Sequence, residues 1–222
     1  MGIFSNRVAS ASSTDRNEGP KLGRAIVLME SAKFTPSAKT FKKKGDMFKA
    51  KCKVIFGLSD VDGRMQNEDG FLGNRTGDVV DLFYMENQSF PSYFAVDLQQ
   101  FGLTCLGITK ADLAADGEEG TTPGEFEDEI LPAILGIDAQ GNEVGAGICD
   151  GTTILEVHTT FKPNSNGDTD KDGNLKGIYL SKPVRKLGAD EIAEFELTDK
   201  QLAMVFGSLD QFNKLVEMDV AE

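Results

Sequence analysis

DMFKAKCKVIF, residues 46–56, is the stretch on which the reading of this chain turns. Phe48, Ala50, Cys52, Val54 and Phe56 alternate there with Lys49, Lys51 and Lys53. Successive side chains of a strand point to opposite faces, so the spacing predicts a β-strand with its apolar set packed inward and a lysine row outward. Upstream, RAIVLMESAKF (24–34) is a second β-rich run, with Ile26, Leu28, Ala32 and Phe34 on one parity. TPSAKTFKKKG (35–45) lies between the two as a basic loop ending at Gly45. Downstream, VVDLFYME (79–86) follows the Gly-rich connection GFLGNRTG and reads as a third strand, with Tyr84 on the core parity of Val80 and Leu82.

Beyond residue 90 the period changes. Phe94, Leu98, Phe101 and Cys105 predict a helix over 91–108, and Phe126, Ile130 and Ile134 one over 125–135, separated by the acidic loop ADGEEGTTPG. Two further strands are expected at 152–161 and 176–184, joined by the polar loop PNSNGDTDKDGN. In the first, Thr153, Leu155, Val157 and Phe161 share one face and Glu156, His158 and Thr160 the other. In the second, Ile178 and Leu180 look inward and Tyr179 outward. A final helix is predicted from about Asp199 to Met218. Thr198 and Gln201 form its capping box, and Leu202, Val205, Leu209, Phe212 and Val216 its apolar stripe.

The fold class is therefore β-rich α+β. The element order, three strands, a helical insert, two strands and a C-terminal helix, is that of a five-stranded OB-fold-like barrel. An unrelated α+β sandwich has a similar order. The organisation expected is a flexible arm over 1–20, a barrel domain over 21–187 with the insert at about 90–137, and an acidic C-terminal region over 188–222.

The chain has 222 residues, 40% of them hydrophobic, enough for a real core. Its formal net charge is −13, not the balance first expected of a nucleic-acid binder, but the charge is unevenly placed. From Lys21 to Lys53 ten basic residues face two acids, a window of +8, and everything after Lys53 sums to −21. A local potential decides which ligand docks, so a basic patch can hold a polyanion on an acidic protein. A solvated lysine-rich hairpin is the plainer explanation of the same residues. No apolar run reaches the roughly 18 residues of a membrane span. The polar start, with Asn6 where a myristoylation signal has Ser or Thr, carries neither a signal peptide nor that lipid address. Cys52, Cys105 and Cys149 are widely spaced and odd in number, so no disulfide framework is expected, and the reading is of a reduced, soluble, cytoplasmic protein.

Catalytic chemistry finds little support. A single histidine excludes a multi-histidine metal centre, and GFLGNRTG lacks the Gly-Lys-Ser/Thr ending of a phosphate-binding loop. Glu125, Glu127, Asp128 and Glu129 bunch near a helix start, where they complement its dipole. Asp168, Asp170, Asp172 and Gly173 match the front half of an EF-hand loop, but the twelfth position is Tyr179 and the flanks are strands. A hairpin tip built from turn formers explains them better. No enzyme, cofactor or metal is expected.

One resemblance unites these parts. KFTPSAKTFKKKGDMFKAKCKV (33–54), DLFYME (81–86), the insert ending ILPAILGID (130–138) and the hairpin VHTTFKPNSNGDTDKDGNLKGIYLSKP (157–183) together resemble the OB-fold single-stranded DNA-binding proteins of bacteriophages. The likeness is in the order of parts over residues 20–185. The acidic C-terminal region, nine acids and two bases over 189–222, is similar to the tail by which such proteins recruit replication partners. Here it is an amphipathic helix rather than a flexible peptide ending in an aromatic residue, and the chain has no tryptophan.

The resemblance implies sequence-tolerant binding and protection of single-stranded DNA in phage replication or recombination, in the host cytoplasm and with no membrane. A homo-oligomer is compatible with it. Such binding needs cations along the phosphate track and rings for the bases. Lys33, Lys39, Lys42, Lys43, Lys44, Lys49, Lys51 and Lys53 supply the first, with Lys162 and Lys176 flanking the last hairpin. Phe41, inside the lysine loop, either stacks on bases or folds back onto the barrel; Tyr179 adds a ring, and His158 reads as a solvated strand position. The alternative is an acidic protein-interaction module, structural or host-directed, whose C-terminal helix docks on a partner without nucleic acid.

Overall fold

The computed structural model describes residues 23–39, 44–58, 74–86, 91–108, 131–136, 147, 151–163, 165–169, 173 and 177–221. Five antiparallel strands, β1 (Gly23–Lys39), β2 (Lys44–Leu58), β3 (Val79–Met85), β4 (Ile154–Pro163) and β5 (Gly177–Leu187), form one sheet in the order β3-β2-β1-β4-β5. Helix α1 (Pro91–Leu106) and the short α2 (Leu131–Leu135) fall between β3 and β4. Helices α3 (Ala189–Ala193), α4 (Asp199–Phe206) and α5 (Leu209–Ala221) follow β5. The sheet is open. Its two edges approach each other at Tyr84 of β3, whose hydroxyl donates to the carbonyl of Ser181 on β5 at 3.5 Å without a ladder forming.

Two cores sandwich the sheet. The inner one joins Ala25, Val27 and Met29 of β1, Phe48, Ala50, Cys52 and Val54 of β2, Val80, Leu82 and Tyr84 of β3, and Leu155 and Val157 of β4. α1 covers it with Phe94, Leu98, Phe101 and Cys105, the predicted stripe. Phe48, Tyr84 and Phe101 pack at its centre with ring centroids 5.2 to 6.2 Å apart. The outer core lies on the opposite face. There Ile26, Leu28, Ile55 and Ile154 meet Ile192, Leu202, Val205, Phe206 and Phe212 of the last three helices. The acidic C-terminal region is thus a layer of the fold, sharing a core with the strands.

Several expectations need correcting, most of them because of bulges. An extra residue in one strand reverses the facing of everything beyond it. Between Met29 and Ser31 the register with β2 shifts, leaving Glu30 unpaired, so Ile26 and Leu28 face the outer core while Ala32 and Phe34 pack against the inner one. Ile26 pairs with Phe56 but Val27 with Val54, making Ile55 the extra residue of β2. Ile55 and Phe56 therefore both turn to the outer core, where Phe56 stacks on Phe195 at 5.3 Å. Glu156, placed by parity on the face of His158 and Thr160, is only 1% exposed, gripped by Arg24 of β1 and by Arg185 of β5 at 3.1 Å. Arg185 also binds Glu191 at 2.6 Å, and Glu191 caps the backbone N–H of Gly188, which fixes the start of α3.

The single C-terminal helix is instead two. Gly207 ends α4 at φ 85°, a left-handed conformation that favours glycine, and Ser208 Oγ accepts from the N–H of Gln211 to open α5. The Thr198–Gln201 capping box is present as read. The basic loop is shorter than expected, because β1 and β2 pair out to Lys39 and Lys44 and only residues 40–43 lie between them. β4 and β5 do form the closing hairpin, pairing from Ile154–Leu187 to Pro163–Gly177.

Candidate nucleic-acid interface

The outer face of the sheet has two halves. One is the apolar half covered by α3 to α5. The other, on the upper parts of β1, β2 and β3, carries the lysine row and has no described helix on it. Alternation in β2 places Lys49, Lys51 and Lys53 there, as expected, while Phe48, Ala50, Cys52 and Val54 are fully buried on the other side. Cross-strand pairing then decides their neighbours. Lys33 of β1, Lys49 of β2 and Phe83 of β3 form one transverse row, with Ser31, Lys51 and Asp81 in the next. Adjacent strands lie about 4.8 Å apart, so Lys33 and Phe83 stand roughly 10 Å from each other across the sheet.

Phe83 was not among the residues singled out from the sequence, although its position was legible. In VVDLFYM, Val80, Leu82 and Tyr84 turn inward, so the parity of Asp81 and Phe83 is outward. The ring is 51% exposed beside a lysine, whereas its neighbour Tyr84 is buried and has its phenol pushed well above the usual range by that burial. A half-exposed ring on a rigid strand is a surface on which a planar base can stack.

The lysines are not uniformly available. Lys49 pairs with Asp81 at 2.8 Å, and Lys51 and Lys53 both pair with Glu30, at 3.2 and 3.0 Å. The bulge explains the latter pairs: as the extra residue of β1, Glu30 has no opposite partner and turns to the two lysines. Burial pushes the Glu30 carboxyl up, but hydrogen bonds and charge from Lys53 and Lys51 outweigh it and hold the group below the usual glutamate range. Lys53 also donates to the carbonyl of Val205 at 3.2 Å. That carbonyl is in the last turn of α4, where helical carbonyls lack partners and a cation is favoured. Lys53 thereby marks the border between the two halves. Lys33 is exposed and makes no ion pair with any described residue.

The remaining candidates are scattered. Lys162 is exposed near the end of β4. Lys39 and Lys44 pair at the mouth of the β1–β2 hairpin, and Phe41, Lys42, Lys43 and Lys176 lie outside the described residues. The ladder sets position 179 opposite Phe161, on the face of β4 that holds Val157 and Thr159. His158, paired with Lys182, is exposed. Asp168 is exposed and accepts from Asn166 at 2.8 Å in the turn after β4; Asp170 and Asp172 lie outside the described residues. Cys52 and Cys105 are buried thiols, and among the described residues no group of three or more His, Cys, Asp or Glu could hold a metal ion. No described helix is long and apolar enough to cross a membrane.

Compared with known proteins, the chain matches no protein-family model, and no curated protein matches it.

Proposed function

We propose that this chain binds single-stranded DNA without sequence preference on the bare half of its sheet. It would protect exposed strands during replication or recombination, and the phage family it resembles puts that work in the host cytoplasm. The observation that carries the reading is the transverse row Lys33–Lys49–Phe83, two cations and an exposed ring on adjacent strands. Phosphates take lysines and unpaired bases take rings, and a single strand presents both at once. The strand order, with β1 between β2 and β4 and the sheet unclosed, is compatible with the partly open five-stranded OB barrel, which binds oligonucleotides on its second and third strands and in the loop after its first. Phe41, Lys42 and Lys43 fall in that loop, between the paired Lys39 and Lys44.

The apolar stripe of the C-terminal helices also bears on the choice. Leu202, Val205 and Phe212 are spent on the chain's own sheet, so they are not a free docking stripe for a partner helix. The ion pairs of Lys49, Lys51 and Lys53 favour the second reading, in which this face is structural and the chain is an acidic interaction module. Anisotropy of a labelled dT oligonucleotide, beside a duplex of equal length and at two salt concentrations, separates the two. The proposal expects binding to the single strand that weakens linearly in log affinity against log salt. It also expects Lys42, Lys43 and Lys44 replaced by Glu to weaken binding strongly while the protein stays folded. Absence of binding at low salt would overturn it in favour of the interaction module.

A further inference from the structure

Three of the four lysines on the bare half pair with a carboxylate. Lys49 has Asp81, and Lys51 and Lys53 share Glu30, so three positive charges meet two negative ones within 3.2 Å, and with Lys33 the row keeps a net charge of +2. Asp81 is nearly buried and rigidly placed by the β2–β3 ladder, and Glu30 is fixed by its bulge. A phosphate approaching this row must displace a carboxylate already in place. Charge alone therefore attracts a polyanion weakly here, and the ring of Phe83 is the feature that no carboxylate masks.

We infer that Glu30 and Asp81 are specificity-determining residues, which halve the net charge of the lysine row so that stacking on Phe83 becomes the condition for tight binding. The inference rests on the single-strand reading above and goes beyond it by assigning the preference for unpaired bases to two acids. A duplex offers phosphates at high density but keeps its base faces inside the stack, so it gains nothing from Phe83. A single strand offers fewer phosphates for each length and its base faces besides. Each lysine released from a carboxylate steepens the salt dependence by about 0.9 for a duplex and about 0.7 for a single strand, so removing the acids favours the duplex more.

The test compares wild type, Glu30→Gln, Asp81→Asn and Phe83→Ala, with a labelled dT oligonucleotide and a duplex of equal length as probes at low salt. Glu30 is partly exposed, so Glu30→Gln is the variant least able to disturb folding, and thermal unfolding of each variant checks this. The expected result is that Glu30→Gln tightens duplex binding about fivefold, with a steeper salt slope, and narrows the ratio of single-strand to duplex affinity. Asp81→Asn acts in the same direction. Phe83→Ala narrows the ratio from the other side, lowering single-strand affinity about tenfold with duplex affinity unchanged. Wild type that binds dT, with a folded Glu30→Gln variant of unchanged duplex affinity, overturns this inference and leaves the single-strand reading standing. Wild type that binds no dT at low salt overturns both.

Discussion

The two halves of the outer sheet face are built from the same strands, yet one is closed and the other open. On the closed half, Ile26, Leu28, Ile55 and Ile154 are covered by helices whose outward surface is acidic. On the open half, lysines replace the aliphatics, and what covers them is a pair of single carboxylates. The difference lies in what each surface costs to leave in water. Buried aliphatic area stabilises by roughly 25 cal/mol per Å², so an uncovered Ile55 or Ile154 demands a layer. A lysine is already content in water, and an exposed ion pair contributes only about 0 to 1 kcal/mol. One half is held by the hydrophobic effect and serves stability. The other carries no described helix, and the proposed binding is placed there.

The largest effect expected from this contrast is on the closed half. Phe212→Ala removes a ring packed 4.9 Å from Phe206 in the outer core and should cost about 4 kcal/mol, read as a lower urea midpoint. A loss below about 1 kcal/mol would mean that the helical layer is not integral to the fold. On the open half, Phe83→Ala should leave the midpoint unchanged and weaken dT binding by about 1.4 kcal/mol, a tenfold loss, which titration at fixed salt measures. Equal damage to stability would make Phe83 a packing residue and erase the contrast.

Smaller changes sharpen the comparison. Thr198→Ala removes the side chain that caps α4 and should cost about 1 kcal/mol, confined to stability, because the cap lies in the helical layer. Acid should act on both halves. Glu30, on the open half, is held below the ordinary range by Lys53 and Lys51 against the opposing pull of burial. Glu191, on the closed half, is held down by Arg185 and the Gly188 N–H against the same pull. Their contribution is complete above the ordinary glutamate value of about 4.3 and is lost as pH falls below it, through the depressed native values. A urea midpoint that declines over that window, and declines less steeply in Glu30→Gln/Glu191→Gln, is the expected result. Identical decline in the double variant would assign the acid limb to other carboxylates.

Much of this was open to a reader of residues alone. The alternation in β2, the core parity of Val80, Leu82 and Tyr84, the stripe of α1 and the Thr198 capping box all have local causes, and each stands where the pattern puts it. Most of the failures share one cause. Bulges at Glu30 and Ile55 reverse facing without any local mark, so parity groups Ile26 and Leu28 with Ala32 and Phe34, and Phe56 with Phe48, where the structure separates them. Glu156 sits in a strand that is covered on both faces, and only the arrival of Arg24 and Arg185 from neighbouring strands makes a buried carboxylate tolerable there. Phe83 was within reach of the same parity that located Tyr84.

What residue order by itself determined is the set of strands and helices, their periodic faces and the excess of lysine ahead of an acidic remainder, because periodicity and charge are properties of short stretches. What only the tertiary structure decided is which lysines keep their charge unanswered and which ring stands beside them. Those outcomes depend on Glu30, Asp81 and Val205 reaching the row from other strands and from α4, across up to 152 positions of chain, and no local pattern encodes a partner that distant.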